Sequence, residues 1–185
     1  MSDYSQTIVD REATAENAVE RARRAMDWLI SQGIIEGTPE PDAAVVDPGH
    51  RPGPRFEEWL DEPAGWHPTK LLRWNGVQAI AEKSVFHTTM FDSFEMTCPL
   101  GHRTEAPEAW WDAIDEWWDE SGPALVRCAA CGTGYPLPVI DLEPPFAFGF
   151  LGITFWNWPE LPDALIDGVQ AAIKTGRVVR VWNRT

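Results

Sequence analysis

Apolar residues recur at helical spacing in three stretches of the chain. In the first, Ala15, Ala18, Val19, Ala22, Met26, Leu29 and Ile30 make one stripe, with Arg21, Arg23 and Arg24 on the other side. Thr14 is placed to cap this helix and Gly33 to stop it. In the second, Trp110, Trp111, Ile114, Trp117 and Trp118 fall at i, i+1, i+4, i+7 and i+8, which predicts one apolar face. Glu108, Asp112, Asp115, Glu116, Asp119 and Glu120 cover the opposite face; Pro107 suits the first helical position and Gly122-Pro123 ends the helix. The third stretch, residues 161–174, turns Leu161, Leu165, Val169, Ala172 and Ile173 inward, with Gly176 just beyond it.

Elsewhere the apolar pattern is that of strands. Val77, Ala79 and Ala81 alternate with Gln78 and Glu82, residues 84–89 are β-branched and aromatic, and residues 94–97 run straight into Cys98. Residues 124–127 form a return strand. Residues 146–158 are the most apolar run and predict a central strand, with Gly149 and Gly152 marking a bulge or a close backbone approach. Residues 177–182 close the chain as a strand, so that 146–182 reads as a strand–helix–strand crossover. Residues 1–13 are polar and predict a loose arm. Between Gly37 and Pro68, seven prolines rule out long regular structure. Val45, Val46, Phe56, Trp59, Leu60 and Trp66 nevertheless predict a segment wrapped on a core, with a helical turn or two at 56–60.

The fold class expected is α+β: a mixed or antiparallel sheet with N- and C-terminal packing helices and an inserted hairpin carrying the Trp-rich helix. The division expected is 1–70 for the first helix and the wrapping segment, and 71–185 for the α+β part with a metal module at 94–135, the two forming one compact unit.

Composition narrows the function classes. The apolar fraction of 44% and eleven tryptophans argue for a folded chain. A net charge of −14 opposes nucleic acid and anionic membranes, whose recognition rests on Lys and Arg, and suits either simple solubility or a basic protein partner. The polar start of the sequence lacks the pattern of a signal peptide and no run reaches membrane-spanning length, so a cytoplasmic protein is expected.

All three cysteines lie within residues 98–132, in Cys98-Pro-Leu-Gly-His102 and Cys128-Ala-Ala-Cys131-Gly132. The spacings C-x3-H and C-x2-C make Cys98, His102, Cys128 and Cys131 the candidate ligands of one closed four-coordinate site. Structural Zn2+ suits such a shell, because thiolate and imidazole satisfy it without any d-electron preference. Glycine in each loop permits the tight turn that aims amide groups at sulfur. On its ligand spacing, this segment resembles a zinc-ribbon knuckle pair, with His102 where ribbons often carry cysteine. The resemblance covers residues 98–132 alone, and the long Trp-rich insert departs from the usual ribbon. Four other readings stand beside it, and one of them, nucleic-acid recognition, is opposed by the carboxylates between the knuckles. A redox Cys-x-x-Cys pair would open a helix, whereas Cys131 leads into a turn-like Gly-Thr-Gly-Tyr-Pro. A catalytic zinc would keep one position open. Unligated core thiols are the plainest reading.

No phosphate-binding loop, nucleophile elbow, H-E-x-x-H or dinucleotide fingerprint occurs. The function expected is therefore that of a non-catalytic binding protein, with the profile of an immunity or antitoxin-like inhibitor. Asp112, Asp115, Glu116 and Asp119 would dock a basic protein. The alternative is a small enzyme or small-ligand binder with a Trp-lined cleft near His87 and residues 146–158. His87 itself reads first as a hydrogen-bonded structural residue.

Overall fold

The computed structural model describes residues 3–45, 48–60, 72–87 and 94–184. Trp66, Val46, Thr88 and Thr89, and the prolines of 61–71, lie outside them. The first strand, β1 (Tyr4–Asp10), overturns the expectation of a loose arm. Ile8 and Val9 are buried on its two faces, and Gln6 and Asp10 are buried with them. Its polar look comes from side chains that are paired rather than apolar. The Gln6 amide donates to the carbonyls of Pro159 (2.7 Å) and Trp158 (3.2 Å) and accepts from the Leu161 N–H. The Asp10 carboxylate takes the Arg21 guanidinium at 2.5 Å and the Thr175 hydroxyl at 2.7 Å. Buried polar groups are tolerated where each finds such partners.

Helix α1 (Ala18–Ser31) begins later than the sequence stripe suggested. Ala18, Ala22, Ala25 and Leu29 are its buried residues, while Ala15 precedes it and Val19 faces solvent. Thr14 supplies a carbonyl, not a side-chain cap, to the N–H groups of Asn17 and Ala18. At the other end Gly33, at φ +68°, stops the helix as expected. Its N–H reaches the Ile30 carbonyl and that of Ile34 reaches Leu29, the paired bonds of a Schellman turn.

The proline-rich segment forms a hairpin, β2 (Ile35–Glu40) and β3 (Gly49–Pro52), with a register shift between Ile35 and Pro39. A 3-10 turn at Phe56–Trp59 then buries Phe56 against the Trp158 ring, so this part does wrap on the core. β4 (Val77–Ile80) and β5 (Ser84–Phe86) follow, and then β6 (Glu95–Thr97) and β7 (Arg103–Glu105). Helix α2 (Trp110–Asp119) leads into β8 (Leu125–Arg127), β9 (Gly134–Pro136) and β10 (Asp141–Glu143).

The apolar run at 146–158 is two strands rather than one. β11 (Ala147–Gly149) pairs with β5, and β12 (Leu151–Trp156) enters the main sheet. The two glycines do mark close approaches. A Cβ on Gly152 would stand 2.4 Å from the Phe86 ring, and one on Gly149 3.2 Å from the Asp10 carbonyl. Helix α3 (Asp163–Ile173) and β13 (Val178–Arg184) finish the chain. The main sheet has the order β13-β1-β12-β4-β3-β2 and every pairing is antiparallel, giving an α+β fold. β12 and β13 run parallel but are not neighbours, because β1 lies between them; the expected crossover is thus a split one.

Helices α1 and α3 cover one face of this sheet over a core of Ile8, Leu29, Val77, Ile153, Phe155 and Leu165. A separate core of Met96, Trp110, Val126, Leu137, Ile140 and Phe148 lies beneath the Cys–His loops. Arg11, at the end of β1, links the two. Its nearly buried side chain donates to the carbonyls of Pro138 (2.8 Å) and Ile140 (2.6 Å) and pairs with Asp141, which also takes Arg177. Among the described residues, no helix is long and apolar enough to cross a membrane.

Candidate metal centre

The two knuckles sit at the tips of two hairpins, β6–β7 and β8–β9. In the first, the Gly101 N–H returns to the Cys98 carbonyl (2.8 Å) and the Cys98 N–H reaches that of His102 (3.1 Å). In the second, the Gly132 N–H returns to the Cys128 carbonyl (2.8 Å) and the Cys128 N–H reaches Thr133 (3.0 Å). Gly101 at φ +82° and Gly132 at φ +71° allow these turns, since a side chain is strained in that region. The hairpins bring the candidate donors together: one ligand atom from each of Cys98, His102, Cys128 and Cys131 lies within 4.8 Å of the others. Cys98 and Cys128 are buried, Cys131 is half-buried and the His102 ring reaches solvent. Such a group of soft and borderline donors could hold a metal ion.

The sulfurs are not equivalent. The Thr133 N–H and the Tyr135 hydroxyl hold the Cys131 thiol down to about 6. Burial pushes the Cys98 thiol up, but the N–H groups of His102 and Leu100 and the His102 ring outweigh it, leaving this thiol below its ordinary value. The Cys131 N–H favours the Cys128 thiolate, yet burial and the neighbouring sulfurs of Cys131 and Cys98 leave that thiol raised. The sulfurs of Cys131 and Cys98 raise His102 in turn. Amide groups aimed at sulfur thus gather negative charge at one point, and the third thiol resists ionising there without a cation.

Helix α2 packs on the same core, but its tryptophans divide. Trp110, Ala113, Ile114 and Trp117 face inward, whereas Trp111 is 59% and Trp118 61% exposed. At about 100° per residue, Trp111 and Trp118 lie roughly 80–100° round from Trp110, too far to share its contact. Asp112, Asp115 and Asp119 are exposed beside them. Glu116 is half-buried, and its carboxylate accepts the Ala124 N–H at 2.9 Å, holding the turn into β8. Glu120, at the negative end of the helix, meets Lys83 at 3.3 Å. Glu116 and Glu120 thus have partners within the chain.

His87 is exposed, with its ring 5.8 Å from that of Phe146. A cavity does lie beside it, lined also by Thr154 and Trp156, the one tryptophan among its described lining residues. Sequence reasoning missed Tyr135, four residues beyond Cys131, and Arg11. The first had a local signal in its spacing from the knuckle; the second had none. No family model matches the chain, and no curated protein or solved structure matches it either.

Proposed function

We propose that the chain is a non-catalytic zinc-binding protein that docks a basic protein through α2. Zinc suits the donor set: bond lengths of about 2.3 Å to sulfur and 2.0–2.1 Å to nitrogen put tetrahedral ligand atoms roughly 3.5 Å apart. The Cys98 Sγ to His102 Nδ1 distance is 3.5 Å. Its role is structural, because four protein donors close the shell and the core beneath is small. The metal ties the tips of β6–β7 and β8–β9, and α2 spans the chain between these hairpins.

The single observation that carries the docking reading is the exposure of Trp111 and Trp118, two turns apart on one helix and bordered by the carboxylates of Asp112, Asp115 and Asp119. Tryptophan at the centre and charge at the rim is the usual make-up of a recognition surface. No Lys or Arg occurs from Thr104 to Val126, so the face suits a partner rich in those residues. An inhibitor of the immunity or antitoxin kind would have this surface. Affinity capture with the parent, with Trp111→Ala/Trp118→Ala and with Asp112→Asn/Asp115→Asn/Asp119→Asn tests it. A basic protein that binds the parent directly and is lost from both variants supports the reading. An unchanged set of captured proteins makes α2 a solvated surface only.

A further inference from the structure

The sheet face opposite α1 and α3 changes character along its strands. Near one end, Val179, Val9 and Gly152 form a cross-strand row beneath Phe86 and Ala147, and the packing is apolar. Two and four residues further on, the rows on the same face become polar. Val181, Thr7 and Thr154 make one, and Asn183, Ser5 and Trp156 the next. These side chains are not a solvated surface: Ser5 is 4% exposed, Thr7 7%, Thr154 3% and Trp156 8%. They line a cavity of about 140 Å3 whose other walls are Ile80, Val85 and Phe86, with His87 at its rim.

Among the described residues, two side-chain hydrogen bonds hold this cavity's walls, and one buried oxygen in it has no protein partner. The Thr7 and Thr154 hydroxyls pair at 3.0 Å, and the Trp156 indole N–H donates to the Gln78 side chain at 3.2 Å, which fixes the ring. Asn183 Oδ1 is buried and, among the described residues, accepts nothing. A buried acceptor left unpaired is costly, and sites built to bind commonly hold such a group ready for a ligand donor. No Asp, Glu, Lys or Arg is among the described lining residues, so a charged ligand would lose its water without gaining a counter-charge.

We infer that this cavity is a binding site for a small uncharged molecule with a flat apolar body and one O–H or N–H donor, the donor meeting Asn183 Oδ1. The size fits a single ring: an apolar protein cavity of about 150 Å3 takes benzene, and the same space would hold only about four or five waters. Phe86 and Trp156 supply the apolar walls. The site is independent of the metal centre and of α2.

Phenol, benzene and benzoate, titrated into the full chain near neutral pH, test this. NMR follows the methyl groups of Thr7 and Thr154 and the indole N–H of Trp156. Phenol is expected to shift all three, and to bind about tenfold more tightly than benzene, the gain of roughly one buried hydrogen bond. Benzoate should bind at least about tenfold more weakly than phenol. In Asn183→Leu, on the edge strand β13, the gap between phenol and benzene should vanish. No shifts at these reporters with phenol or benzene, or benzoate binding as tightly as phenol, overturns the site. Equal phenol and benzene affinities in the parent, or a gap that survives in Asn183→Leu, overturns the role of Asn183. The three-probe comparison in the parent stands even where the variant does not fold.

Discussion

The phenol oxygen of Tyr135 lies 3.6 Å from the Sγ of Cys131. The contact joins a residue outside the knuckle to the thiol that ionises most readily, and it pushes the Tyr135 hydroxyl up to about 12. In the proposed zinc site such a hydroxyl would orient the sulfur and tune its charge.

In metal-free protein, Tyr135→Phe should therefore raise the Cys131 thiol from about 6 toward its ordinary value of 9.0. The Thr133 N–H remains, so the rise is partial. The rate of alkylation of Cys131 against pH reads this out. The sign for stability follows from the lowered value. This thiolate's contribution is fully present above about 9, where the unfolded thiol also ionises, and is lost as pH falls through about 6. Metal affinity falls in the same direction, because protons compete for the ligands.

Arg11→Met should cost about 2–3 kcal/mol in chemical denaturation. It strips a guanidinium from the carbonyls of Pro138 and Ile140 and leaves them part-buried without that donor. Arg11→Lys should recover only part, since an ammonium lacks the fork that serves both carbonyls and Asp141.

Gly168 lies where α3 meets α1, and a Cβ there would stand 2.2 Å from the Trp28 ring. Gly168→Ala should destabilise by about 1–3 kcal/mol from overpacking, outweighing the roughly 0.5–1 kcal/mol that alanine gains in a helix. Combined with Trp28→Leu the two costs should fall short of additivity, and a double-mutant cycle measures the difference.

The acidic residues of α2 should separate by role. Asn at Asp112, Asp115 and Asp119 should leave stability within about 0.5 kcal/mol, with Asp119 slightly stabilising because it sits at the negative end of the helix. Glu116→Ala should cost about 1–2 kcal/mol, because the Ala124 N–H loses its acceptor.

Periodicity and ligand spacing made the three helices, several of the strands and the four clustered donors legible in the sequence. Each is local: a stripe, an alternation or a knuckle needs only neighbouring residues. What escaped depends on distant partners. β1 looked like a loose arm because Gln6 and Asp10 are satisfied by Trp158, Pro159, Arg21 and Thr175 rather than being apolar. Residues 146–158 looked like one strand because both sheets that share them are buried there. Five apolar residues on α2 looked like one face, but their arc is wider than the core they meet, and two tryptophans are left outside.

The metal content of protein purified without chelator, measured for the parent and for Cys131→Ser with thermal unfolding alongside, distinguishes a zinc-tied pair of hairpins from a cluster of bare thiols. About one zinc per chain is expected, with loss of both the zinc and the cooperative unfolding of the 94–143 region in the variant. A parent free of metal that still unfolds cooperatively at the same temperature in both forms would contradict it.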